Sequence, residues 1–148
     1  MKPPMSIWKK IFGQTTEEVD YYEEGLVLLG AGKYHEALTS FRLALRHTPD
    51  DTTVLQQIAI AYTRIGMTDE AIRTYRKVLQ TDAQSPGAHY GLAFLYLRNG
   101  QRTEAIRHLR SFLVAPPGGA EANQHIEHAR QTLESLESGD STVEGALP

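Results

Sequence analysis

The chain has 148 residues, of which 41% are hydrophobic and 22% are charged. This length favours one domain with its own buried core, and the composition excludes a low-complexity disordered chain and an integral membrane protein. The net charge of −3 disfavours nucleic-acid binding, because proteins that bind nucleic acid are usually strongly basic. The absence of cysteine excludes disulfides, thiolate metal sites and cysteine nucleophiles.

The N-terminal segment, residues 1–16, contains the stretch MSIWKKIF at residues 5–12. Lys9 and Lys10 interrupt its apolar residues, which is unlike a signal peptide, and we therefore predict a cytoplasmic protein. The stretch can form a short amphipathic helix, and three placements stay open for it. It can pack over the helices that follow, dock on a second copy of the chain, or lie on a membrane surface through Trp8 and the lysines.

The rest of the chain repeats itself. Three phrases, GKYHEALTSF, GMTDEAIRTY and GQRTEAIRHL, follow one another at a constant step of about 34 residues. Four residue types keep this step in all three copies: Gly32, Gly66 and Gly100; Glu36, Glu70 and Glu104; Ala37, Ala71 and Ala105; Arg42, Arg76 and Arg110. Such a register indicates a repeat protein.

Each copy is predicted to form two helices. In the first copy, Thr15 and Glu18 have the spacing of a capping box, which predicts the start of the first helix. Gly32 stands where a left-handed residue would close that helix. A second helix is predicted over about 34–47, where Pro49 stops it. No single pair can bury its apolar face alone, so the pairs must stack.

This pattern resembles the tetratricopeptide repeat, whose period is 34 residues. The resemblance rests on these residues: Tyr21, Gly25, Leu28, Ala37, Phe41, Pro49; Leu55, Ala59, Tyr62, Ala71, Tyr75; Leu92, Ala93, Tyr96, Ala105, Leu109, Pro117. It implies an all-α fold, an α-solenoid of three antiparallel helix pairs with a C-terminal capping helix. The predicted repeat domain covers 17–137, with repeats at 18–51, 52–85 and 86–119, the capping helix at 120–137 and a disordered tail at 138–148.

Proteins that resemble this chain hold peptide segments of a partner in a concave groove lined by the first helix of each pair. The corresponding residues here are Tyr22, Leu26, Leu29, Gln56, Ile60, Thr63, Arg64, Tyr90, Phe94, Leu97 and Arg98. A run of large exposed apolar side chains indicates a binding surface, with the aromatic rings as anchors and the two arginines orienting a carboxylate or a backbone carbonyl. The alternative is that the N-terminal segment or a second copy of the chain covers this surface.

No catalytic motif is found in the sequence, so we predict a protein that is not an enzyme and needs no cofactor. Glu121, His125 and His128 share one face of the predicted capping helix. They could share a metal ion, although solvated side chains on the polar side of that helix are the preferred interpretation, and no metal site is predicted. His89, at the position of the family's usual tryptophan, is predicted to be a packed ring.

The second helices carry a basic ridge. Its residues are Arg42, Arg46, Arg76, Lys77, Arg107 and Arg110. A docking stripe for an acidic partner is one interpretation; the preferred one is a solvated outer face, partly paired by Glu70 with Arg73 and Glu104 with Arg107.

We therefore predict a non-catalytic adaptor that binds a peptide or helix of a partner protein in an apolar groove. Two alternatives stay open: a homo-oligomeric scaffold in which the N-terminal segment or the groove docks on the next copy, and a small secretion-type chaperone for a hydrophobic client.

Overall fold

The computed structural model describes residues 19–139, and these residues form seven α-helices joined by short turns. The helices are α1 (Tyr21–Gly30), α2 (Tyr34–Ala44), α3 (Thr52–Ile65), α4 (Thr68–Thr81), α5 (Pro86–Arg98), α6 (Arg102–Val114) and α7 (Ala122–Ser138). Each helix contacts the next in chain order, and α1, α3 and α5 also contact one another in sequence. The result is an all-α solenoid of three antiparallel pairs, closed at one end by α7.

Small residues allow the two helices of each pair to approach closely. Ala37, Ala71 and Ala105 on the second helices are completely buried. On the first helices, Gly25 lies against the ring of Phe41, and a Cβ at that glycine would come within 2.4 Å of the ring. The periodic small residues therefore allow close packing of the helix pairs.

The ends of the helices follow from local chemistry. Gly32, Gly66 and Gly100 have φ angles of 78°, 90° and 75°, which confirms the left-handed closing residue predicted at Gly32. α3 is capped by Asp51, whose carboxylate accepts hydrogen bonds from the amides of Thr53 and Val54 at 3.0 and 3.3 Å.

Two predicted helix bounds are wrong. A first helix continuous from Thr15 is not formed, because residues 19 and 20 are not helical and the Asp20 carboxylate caps α1 by accepting from the Glu23 amide at 3.1 Å. Thr15 and Glu18 themselves lie outside the described residues. The second helix ends at Ala44 rather than near residue 47, and turns follow before Pro49. The amphipathic stretch 5–12 and most of the predicted tail also lie outside the described residues.

The core is divided into two clusters of unequal size. The smaller one joins α1, α2 and α3 and is centred on Phe41. The larger one runs from α3 to α7 and includes the buried rings of Tyr75, Phe94 and Phe112. Burial is therefore deepest in the C-terminal part of the solenoid. Within residues 19–139, no helix combines the length and the apolar character that crossing a membrane requires.

Candidate functional site

The first helices α1, α3 and α5 present matching residues on one side, which we call the first-helix face. Its residues are those expected to line the groove, and they form three columns that step by 34: Tyr22, Gln56, Tyr90; Leu26, Ile60, Phe94; Leu29, Thr63, Leu97. Arg64 and Arg98 lie beside them at the ends of α3 and α5. Equivalent positions can thus be compared from one repeat to the next.

On α1 and α3 the first-helix face is partly open. Leu26, Leu29 and Ile60 are half-buried, so part of each large apolar side chain remains in contact with water. Tyr22 is also half-buried, and its ring lies 6.1 Å from that of Phe41, which ties the exposed surface to the smaller core cluster. The large apolar side chains of this part of the face are therefore partly accessible to solvent.

On α5 the prediction of exposed anchors is wrong for Phe94 and Leu97, which are only 1% and 2% exposed. At Phe94 the cause is α7, the predicted capping helix. The ring of His128 stacks on Phe94 with centroids 4.6 Å apart and planes 7° from parallel. Tyr90 stays half-buried, but its ring contacts His125 at 5.0 Å and its hydroxyl lies 2.9 Å from Nδ1 of His128. The chain thus covers the α5 part of the face with its own last helix.

The two histidines of α7 are therefore packing residues as much as polar ones. The interpretation of both as solvated side chains is wrong for His128, which is half-buried, whereas His125 is exposed. Burial lowers the pKa of His128, and the neighbouring charge of His125 lowers it further. Within the part of the chain that the structure describes, no three histidine or carboxylate side chains are grouped to hold a metal ion.

A second histidine cluster lies between α5 and α6. His89 is 8% exposed and packs against His108, with the two Nδ1 atoms 3.0 Å apart, which confirms the packed ring predicted at this position. Nε2 of His89 donates to the Ala83 carbonyl at 2.9 Å, so in the neutral pair the bridging proton is carried by His108. Burial lowers the pKa of His108 to about 4, and the charges of His89 and Arg107 act in the same direction. At neutral pH the pair is a structural contact.

The basic ridge is an exposed surface that is partly ion-paired, as preferred from the sequence. Glu70 pairs with Arg73 at 3.2 Å and Glu104 with Arg107 at 2.5 Å, which confirms both predicted pairs. Arg110 reaches across to Glu137 of α7 at 2.6 Å. The last contact was not predicted, since the sequence alone does not show that α7 packs beside α6.

Two glycines on α5 allow polar side chains from neighbouring helices to lie directly on its backbone. A Cβ at Gly87 would be 2.2 Å from Oε1 of Gln56, and a Cβ at Gly91 would be 2.7 Å from the Tyr75 hydroxyl. Gly91 is half-buried, whereas Tyr75 is only 5% exposed. These contacts bring the Tyr75 hydroxyl beside a partly exposed stretch of backbone, a feature that helical periodicity does not reveal.

Stacked helix pairs, periodic small residues and one partly open apolar face define a helical-repeat protein of the kind that binds other proteins. Two family models described as tetratricopeptide repeat match residues 22–89 and 66–118. The two models together cover residues 22–118, and this part of the chain consists of tetratricopeptide repeats. No sequence among the curated proteins matches it significantly.

Several solved structures share the fold. The type III secretion translocator chaperone SycD of Yersinia enterocolitica is 17% identical with a TM-score of 0.76, over 96% of this chain and 98% of that one. PcrH, solved with the chaperone binding region of PopD, is 15% identical with a TM-score of 0.73 over 94% and 97% of the two chains. The first repeat domain of Spaghetti (RPAP3), bound to an HSP90 peptide, is 20% identical with a TM-score of 0.65 over 78% and 91%. The TM-scores establish a common fold, and at identities this low the similarity shows the fold alone.

Proposed function

We propose that the protein is a non-catalytic adaptor that binds an apolar segment of a partner protein, a peptide or a helix, on the open part of the first-helix face. This part is formed by α1 and α3. Its members are Tyr22, Leu26, Leu29, Gln56, Ile60, Thr63 and Arg64, with Arg98 at its edge. Phe94 and Leu97 are buried and do not belong to this open part, and Tyr90 contacts His125 and His128 of α7.

One comparison within the chain carries the proposal. Leu26, Ile60 and Phe94 occupy the same position in successive repeats, yet Phe94 is fully buried while the other two are half-buried. The difference is that α7 supplies a covering side chain to Phe94 alone. A partner segment on α1 and α3 would give Leu26 and Ile60 the cover that α7 gives Phe94. Burying such apolar area is favourable by about 25 cal/mol per Å² before the costs of association.

The test is a selection of peptides rather than a search for a known partner. A displayed library of random 12-residue peptides is selected on the wild-type protein and on a variant carrying Leu26→Asp and Ile60→Asp. A matched control carries Thr39→Asp and Gln80→Asp, two exposed positions on second helices. Circular dichroism verifies that each variant is folded, and the milder pair Leu26→Ala and Ile60→Ala is used if the aspartates disturb folding. We expect apolar peptides that bind the wild type and the control and lose binding to the Leu26/Ile60 variants.

A selection that recovers no peptide, or peptides that bind the Leu26/Ile60 variants equally well, would contradict the adaptor proposal. Light scattering on the same proteins covers the scaffold alternative. A dimer that dissociates in the Leu26/Ile60 variant would mean that a second copy of the chain occupies this face. Either result is decided by variants on α1 and α3, whose apolar side chains Leu26 and Ile60 the described residues 19–139 cover only in part.

A secretion-type chaperone is the second candidate, and it is favoured by one observation. SycD, a type III secretion translocator chaperone, and PcrH, solved with the chaperone binding region of PopD, each match this chain over almost the full length of both proteins. An adaptor's partner persists when the adaptor is removed, whereas a chaperone's client is degraded. Measuring the lifetime of the partner, once peptide selection has identified it, with and without this protein separates the two functions.

A further inference from the structure

A pocket opens at the N-terminal end of the solenoid, between the start of α1, the end of α2 and the start of α3. Its volume is about 490 Å³, whereas one water molecule takes up roughly 30 Å³, so it has room for several side chains. Its lining is partly apolar, with Val19, Tyr21 and Leu43, and partly polar, with Arg46. It shares only Tyr22 with the first-helix face, so it is a separate surface from the one proposed to bind a partner.

Two apolar residues of this pocket stand where the later repeats are not apolar. Val19 corresponds to Thr53 of the second repeat, and Leu43 corresponds to Lys77. The third repeat has a glycine and a serine at these two positions. Val19 is 53% exposed, so much of its side chain is left in water by the described residues. Apolar side chains gathered in one pocket of the first repeat indicate a contact that the other repeats do not make.

Tyr21 shows the same difference through its burial. It is half-buried, whereas Leu55 and His89, at the same position in the next two repeats, are 4% and 8% exposed. His89 is covered in part by its contacts with His108 and with the Ala83 carbonyl. Residues 19–139 thus leave Tyr21 more open than either counterpart, and the first repeat has room for further cover at this position.

The chain that precedes residue 19 reaches this pocket directly, because Val19 is part of its lining. The apolar stretch 5–12 is joined to Val19 by residues 13–18, which extend over at most about 25 Å. A short tether of this kind holds the stretch at an effective concentration in the millimolar range. Its docking therefore needs weaker contacts than the binding of a second copy, which also loses translational and rotational freedom.

We infer that residues 5–12 of the same chain occupy this pocket, with the side chains of Trp8, Ile11 and Phe12 against its apolar lining. The two lysines of the stretch remain in water. Of the three placements that the sequence leaves open for this stretch, the inference selects packing on the helices that follow. As α7 covers the C-terminal end of the solenoid, residues 5–12 cover part of its N-terminal end.

Trp8 is the only tryptophan of the chain, so the tryptophan emission of the full-length protein reports on this stretch alone. We expect emission at short wavelength and weak quenching by acrylamide, both independent of the protein concentration. In the double variant Val19→Thr with Leu43→Lys, the first repeat carries the residue types that the second repeat has at these positions. The emission of Trp8 should then shift to longer wavelength, and its quenching by acrylamide should increase.

The matched control is the double variant Val114→Thr with Thr39→Lys, which introduces the same residue types at exposed positions outside the pocket lining. It should leave the emission and the quenching of Trp8 unchanged. Circular dichroism verifies that both double variants are folded.

A second measurement keeps the apolar lining intact. The chain has no cysteine, so Arg46→Cys can carry a single nitroxide label at the pocket, and Gln80→Cys carries it at the equivalent position one repeat later. A nitroxide quenches tryptophan emission at short range. The label at position 46 should therefore quench Trp8 strongly, and the label at position 80 should not.

Three results would overturn the inference. The first is emission typical of a solvated tryptophan in the wild type; if vesicles of phosphatidylcholine and phosphatidylserine then shift it to shorter wavelength, the stretch lies on a membrane surface instead. The second is shielding of Trp8 that is lost on dilution, which would mean that a second copy supplies or receives the stretch. The third is shielding that the Val19/Leu43 variant leaves unchanged, with no quenching from position 46, which would place the stretch elsewhere on the helices.

Discussion

Replacing Phe94 by alanine tests whether α7 covers the α5 part of the first-helix face. Phe94 is 1% exposed and lies between two rings, with centroid distances of 4.9 Å to Tyr90 and 4.6 Å to His128. Removing a buried phenylalanine side chain typically costs about 3–5 kcal/mol, which includes the cavity left between the helices. Since small domains are stable by roughly 5–15 kcal/mol, the variant should still fold but unfold at a much lower urea concentration.

Ile60→Ala is the matched control, because Ile60 occupies the same position one repeat earlier and is half-exposed. We expect it to cost about 1–2 kcal/mol, since part of its apolar surface is already in water. Urea unfolding of both variants, followed by circular dichroism, gives the comparison. Equal losses of stability, or a loss below about 1 kcal/mol for Phe94→Ala, would mean that α7 does not seal this part of the face.

Three further predictions concern stability. Burial lowers the pKa of His108 from 6.5 to about 4 in the folded protein, so the unfolded chain takes up its proton at a higher pH than the folded protein does. The free energy of unfolding should therefore fall by about 2–3 kcal/mol as the pH drops from 6.5 to 4. His108→Gln should reduce this dependence, measured as urea midpoints at pH 7.5 and 4.5. Gly25→Ala should destabilise the protein by about 1–3 kcal/mol, because its Cβ would clash with the Phe41 ring. Gly30→Ala is the control and should not destabilise it, because the space around Gly30 is open. A thermal melt in which Gly25→Ala is the more stable of the two variants would contradict the packing described. Asp51→Ala should cost about 1 kcal/mol by removing the α3 cap, and Asp51→Asn should restore most of it.

The helix pairs could be predicted from the sequence because their determinants are local and repeated. Gly32 closes a helix because glycine adopts positive φ without strain, and Ala37 allows close packing because its side chain is small. Both properties belong to the residue itself and recur every 34 positions, so three copies reinforce one another. The N-terminal limit of α1 was harder to predict, because threonine and aspartate can both cap a helix and both occur here, as Thr15 and Asp20. The folded backbone shows that Asp20 caps α1.

The extent of the open face could not be predicted, because it depends on where one helix lies relative to another. His125 and His128 are polar residues, and by composition they belong on the outside of α7. Stacking on Phe94 gives His128 an aromatic contact that a solvated histidine lacks, and this is decided by tertiary packing. The contact between Tyr75 and Gly91 was not predicted for the same reason, since a tyrosine at position 75 has the pattern of an ordinary core residue.

The unequal division of the core has a consequence for the order in which the protein opens. The cluster that holds α1 and α2 is the smaller one, while α3 to α7 share the larger. In a solenoid, each repeat is stabilised mainly by its neighbours, so the terminal pair with fewer buried contacts should exchange its amide hydrogens first. The proposed partner would bind α1 of this pair together with α3. Its arrival should therefore be detectable as slowed hydrogen exchange in α1 and α2, with little change in α5 to α7.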